Sequence, residues 1–80
     1  MQIELSDDEA LVLSDWLDRV MHRKEFSDVV DDRAVWSPLL TISGTLETKL
    51  AAIFSASYGD ELEAARGRLI AGLGDFGAES

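Results

Sequence analysis

The sequence predicts a mostly α domain, a short N-terminal strand or arm followed by a three-helix bundle, and predicts that the bundle pairs as a dimer. Three observations carry this. Ser6-Asp7-Asp8-Glu9 spells a capping box at the head of an apolar-periodic segment. Two later segments repeat apolar residues three and four positions apart, the spacing of one helical face. Met1, Ile3 and Leu5 alternate with Gln2 and Glu4, a strand pattern too short to be stable alone.

As a strand, residues 1–5 leave backbone donors and acceptors without partners. A second copy of the same segment, antiparallel across a twofold axis, supplies them, with Leu11 and Val12 joining the interface. The alternative is an extended arm lying on the helices of its own chain.

The first helix is predicted from Asp7 to about Lys24. The Ser6 hydroxyl can accept from the Glu9 amide while Glu9 reaches back, and Asp7, Asp8 and Glu9 set negative charge at the positive end of the helix dipole. Ala10, Leu13, Leu17, Val20 and Met21 fall within an arc of about 100°, with Trp16 at its edge. Asp15, Asp18, Arg19 and His22 take the opposite side. Leu11 and Val12 sit on the flanks among charges and predict a second contact surface. Residues 25–32 have no clean period and read as a loop or a short turn of helix.

Val35, Leu39, Ile42, Leu46, Leu50 and Ile53 then mark one face of a second helix, from about Arg33 to about Phe54, widened by Trp36 and Phe54. Pro38 must kink this helix or begin it, with residues 33–36 as a separate turn. Gly44 costs about 1 kcal/mol in a helix interior. A hairpin over Thr41–Leu46, around Ser43-Gly44, is the rival. Ser57 and Asp60 are placed to cap a third helix whose face is Tyr58, Leu62, Ala65, Leu69 and Leu73. Gly67 and Gly72 weaken it, Gly67 in exchange for close packing. Residues 1–73 thus form one small helical domain and residues 74–80 a flexible tail.

Composition narrows the chemistry. A chain this short buries only about 60% of its unfolded surface, so its core is marginal. Without cysteine it has no disulfide, no thiolate nucleophile and no Cys-based zinc site, and one histidine, His22, is too few for an imidazole cluster. No cofactor or metal is implied. The longest apolar runs, Leu11–Leu13 and Ala51–Phe54, fall far below the roughly 20 residues of a membrane span. The start lacks the basic and apolar stretches of a secretory signal, which with the missing cysteines predicts a cytoplasmic protein without membrane contact.

Net charge is −9, and residues 1–32 alone carry ten acids against three bases. Such a field repels phosphate backbones, so direct nucleic-acid binding is not expected. Residues 33–59 hold only Arg33, Glu47 and Lys49, and this nearly neutral third is expected to be the most buried.

Several letter patterns imitate reactive sites. Gly72-Leu73-Gly74-Asp75-Phe76-Gly77 matches the dinucleotide fingerprint, and Asp75-Phe76-Gly77 a kinase signature, but the pattern follows a helix where the fingerprint needs a strand before it and a helix after it. Ser14, Asp18 and His22 stand four apart on one helical face, a row with no oxyanion hole beside it. Asp28, Asp31 and Asp32 suggest a hard-cation loop, yet valines separate them and the bend lacks glycine. The last two read better as exposed polar surface. Of the large aromatics Trp16, Phe26, Trp36, Phe54 and Tyr58, most belong to the core; Trp16 and Trp36, at stripe edges, are candidate contact residues.

The run Leu5-Ser6-Asp7-Asp8-Glu9-Ala10-Leu11-Val12-Leu13, then Trp16-Leu17, Leu46-Glu47 and Tyr58…Glu61-Leu62…Ala64-Ala65-Arg66, resembles a group of uncharacterised small acidic bacterial proteins of actinobacterial type. The likeness covers about 60 of the residues, and its specific part is the opening box. It implies a helical fold and no known activity. Pro38 and Gly44 depart from the regular middle helix that the group's pattern expects.

Together these features predict a non-catalytic interaction or regulatory protein acting through a homodimer or a protein-partner surface. The candidate interface is Ile3, Leu5, Leu11, Val12, Trp16 and Trp36. The candidate acidic contact surface is Asp15, Asp18, Asp28, Asp31 and Asp32, suited to a basic protein partner. The rival is a nucleic-acid mimic, like anti-restriction or anti-CRISPR inhibitors or some antitoxins, whose carboxylates imitate phosphates. An enzyme would need a pocket that so short a chain with one histidine hardly supplies.

Overall fold

The computed structural model describes residues 1–50 and 57–78 of the chain. It is mostly helical, with α1 (Asp7–Val20), α2 (Lys24–Val29), a 3-10 turn (Arg33–Val35), α3 (Trp36–Leu50) and α4 (Tyr58–Leu73). Among the described residues there is no strand, and residues 1–5 form an exposed arm.

The capping box forms as the sequence predicts. The Glu9 amide donates to Ser6 Oγ at 3.1 Å, and the Ser6 amide donates to Glu9 Oε1 at 2.9 Å. The helix stops at Val20 rather than near Lys24. Arg23 turns extended, α2 begins at Lys24, and Phe26 comes back beside Trp16. Had α1 continued, Phe26 would stand about 15 Å along the axis from Trp16. An aromatic contact across the turn thus outweighs the helix propensity of the intervening residues. Of the stretch read as a loop or a short turn of helix, the second alternative holds: α2 covers it as far as Val29, and residues 30–32 are not helical.

The second predicted helix divides in two. Asp32 accepts from the Ala34 amide at 2.9 Å and heads the 3-10 turn; α3 then begins at Trp36. Pro38 is its third residue, where an amide has no partner within the helix. The helix runs unbroken through Gly44, whose carbonyl accepts from Thr48 Oγ1 at 3.0 Å, so the hairpin alternative is excluded. Helical geometry brings Leu39 and Leu46 to one side, where they meet the core. The remainder of that predicted helix, residues 51–54, lies outside the described residues.

α1 packs against both α3 and α4. Among the described residues the buried ones are Leu11, Leu17, Leu46 and Ala65. Leu17, 2% exposed, and Leu46 form the centre, with Ala10, Leu13, Met21 and Leu39 around them. The apolar arc predicted for α1 therefore faces the core.

Three expectations about packing change. Among the described residues of the neutral middle third Val35, Leu40 and Ile42 are exposed and Leu46 is buried, whereas α1, between two neighbours, holds two buried residues, Leu11 and Leu17. Val35 falls in the 3-10 turn, whose steeper winding shifts it out of phase with the α3 face. Gly67 lies exposed with nothing within 4 Å of an added Cβ, so it mediates no close approach within the chain. Ser57 occupies the N-cap position of α4, but its side chain makes no capping bond to the helix backbone; its hydroxyl donates instead to Glu61 Oε1 at 3.2 Å. At the other end Gly74, with φ +62°, turns the chain out of α4, and residues 74–77 make turns.

Candidate functional site

α1, α2 and α3 converge on three rings. Trp16 and Phe26 meet edge to face with centroids 5.6 Å apart, and Phe26 and Trp36 do so at 5.7 Å. Such pairs are worth about 0.5–1.5 kcal/mol beyond the area they bury. Phe26 is half-buried between the two indoles, while Trp16 remains 42% exposed. The structure thus joins two predicted contact residues, Trp16 and Trp36, through a third that sequence reasoning had grouped only with the core. No periodicity in residues 25–32 could have revealed Phe26 as their bridge, because the contact depends on where α1 ends.

The other candidate contact residues scatter. Ile3 and Leu5 lie exposed on the arm, and Val12 is half-buried. Leu11 is 8% exposed and so is enclosed within its own chain. It shares the α1 face of Asp8 and Asp15, at spacings of three and four, and both carboxylates reach α4. The second contact surface predicted for Leu11 is therefore filled by α4.

That face forms a seam with polar ties at both ends. Arg68 holds Asp8 through Nε and Nη2, and the Tyr58 hydroxyl donates to Asp15 Oδ1 at 3.1 Å. The start of α1 thus meets the end of α4 and the reverse, an antiparallel pair. Asp15 Oδ2 also accepts from Arg19 Nε at 2.9 Å. Burial first, then the hydrogen bond to Asp15 and the charges of Asp15 and Asp18, push the Tyr58 phenol above its ordinary range.

Beside the seam Ser14, Asp15, Asp18, Glu47 and Tyr58 line a cleft of about 330 Å³. Asp15 and Asp18 were expected on an acidic surface; Glu47 arrives from α3 without a sequence signal. His22 lies exposed in the turn after α1 and is not part of the cleft, so the Ser14, Asp18 and His22 row does not assemble there. Asp28 pairs with Lys24 Nζ at 3.4 Å, Asp32 caps the 3-10 turn, and Asp31 is exposed. The acids of residues 28–32 therefore stand apart from the cleft, and two of them have structural partners. Among the described residues no group of three or more His, Asp or Glu side chains is placed to hold a metal ion. Gly72 to Gly77 spans the end of α4 and the turns after it, without the strand and following helix that hold a pyrophosphate.

The chain matches no known protein family, and neither a curated protein nor a solved structure is similar to it. Among the described residues no helix is long and apolar enough to cross a membrane.

Proposed function

We propose that this protein is a small, acidic, non-catalytic interaction or regulatory protein of the cytoplasm that works by contact with another protein. The half-exposed row Trp16–Phe26–Trp36 carries this reading. Tryptophan is enriched where binding energy concentrates, and these rings are held in place by each other, so little ordering is needed on contact. A second reading, the nucleic-acid mimic, is favoured by the cleft of Asp15, Asp18 and Glu47 in a chain of net charge −9.

Salt separates the two. The tagged protein and its Trp16→Ala and Asp18→Asn/Glu47→Gln variants would capture partners from cell extract at low and high ionic strength. The first reading expects a partner retained in high salt and lost with Trp16→Ala. A partner lost in high salt and with the carboxylate variant supports the mimic. Turnover of a small molecule by the purified chain would refute both.

A further inference from the structure

We infer that residues 1–5 form a strap that closes over the end of α4, seating Ile3 and Leu5 in the groove beside Leu69, Gly72 and Leu73. Such a strap goes beyond contact through Trp16 and does not depend on it.

Two apolar sets of the same chain stand open at one end of the molecule. On the arm, Ile3 is 71% exposed and Leu5 is exposed with it; at the end of α4, Leu73 is 53% exposed, and Phe76 lies open in the turn that follows. The Arg68–Asp8 pair brings the two sets together, since it holds the first turn of α1 against the last turns of α4. There Glu9, Arg68, Leu69, Gly72 and Leu73 line a groove of about 400 Å³. Glu9 and Arg68 are engaged with Ser6 and Asp8, so the rest of the lining is apolar.

What covers this groove follows from where the arm is rooted. Ser6 has φ −67° and ψ 165°, so the chain leaves α1 extended rather than as a further turn of helix. Its amide donates to Glu9 Oε1 at 2.9 Å, and Glu9 is a wall of the groove. The arm therefore starts at the rim. Five extended residues reach about 17 Å, whereas α4 rises only about 6 Å from Leu69 to Leu73, so Ile3 and Leu5 can reach the groove with chain to spare. Alternation then sets Ile3 and Leu5 toward the groove and Gln2 and Glu4 toward solvent. A segment tethered this closely acts at an effective concentration on the order of millimolar, well above that of a second copy in dilute solution.

The chain has no cysteine, so a pair introduced as Ile3→Cys with Leu73→Cys reports the contact by itself. Both positions are exposed, and circular dichroism checks that the helices are unchanged. Under mild oxidation of the full chain, this pair should close a disulfide within one chain about tenfold or more faster than Ile3→Cys with Leu40→Cys on α3, at a rate independent of protein concentration. In the cysteine-free chain, Ile3→Gln and Leu73→Gln should each lower the melting temperature, and the double variant should lose less than their sum, because both remove one contact. Closure no faster than in the control pair, or additive losses in the double variant, overturns the strap. A disulfide that forms between chains, faster as concentration rises, also overturns it and assigns the arm to a second copy.

Discussion

Arg68 donates from Nε and Nη2 to both carboxylate oxygens of Asp8, at 2.7 and 2.9 Å, across 60 positions of chain. Fork and carboxylate match in geometry, so the pair fixes direction as well as distance. With Tyr58 on Asp15 at the opposite end, it sets the register of α4 along α1.

Hydrogen bonding from Arg68 holds the Asp8 carboxyl below its ordinary range, against a smaller opposing effect of desolvation. A depressed carboxyl pKa gives stability that is present above the unfolded value and lost as pH falls through the folded one. Arg68→Ala should therefore lower the melting temperature at neutral pH, while variant and wild type converge in strong acid. Both side chains meet solvent, so the difference is small and shrinks with salt. Thermal melts over pH and ionic strength measure this; a gap that persists in strong acid would assign the effect to lost packing.

Tyr58 is the single tyrosine, so tyrosinate absorbance reports it alone. Its midpoint should lie above that of a free phenol, and Asp15→Asn should bring it down. Since the folded value is raised, the associated stability is present below the unfolded phenol value and is lost as pH climbs through the folded one. An alkaline titration with an ordinary midpoint would show that the Asp15 bond does not form in solution.

Phe26→Ala removes both ring contacts, at about 0.5–1.5 kcal/mol each. Fluorescence of Trp16 and Trp36, the only tryptophans, should shift to the red, and the helical signal of α2 should fall. Urea denaturation followed by both probes checks the magnitude. Unchanged emission would mean that the indoles keep their surroundings without Phe26.

Gly67→Ala should stabilise the chain by up to about 1 kcal/mol, because α4 continues through an unobstructed position. Leu17→Ala, at the centre of the core, should destabilise it by about 2–5 kcal/mol. Matched thermal melts decide both. A destabilising Gly67→Ala would show that something outside the described contacts approaches α4.

Much of the helical layout is legible in residue order alone. The capping box starts α1 where Ser6 and Glu9 place it, and the Leu13, Leu17 and Met21 arc turns inward because each depends on neighbours within a turn or two. The contact surface is less legible. Trp16 and Trp36 could be singled out by type and position, but their connection needs α1 to break at Val20 and Phe26 to fold back. Glu47 joins Asp15 and Asp18 only because α3 lies along α1.

By itself the sequence determined that the chain is helical and anionic, and it determined where α1 begins, because capping, periodicity and charge act over a few residues. Tertiary structure alone decided where α1 ends, which side of α3 meets the core, and that Leu11 is enclosed while Leu40 is open. Those outcomes depend on which distant side chains can reach one another, and a helical stripe specifies an apolar face without naming what will cover it.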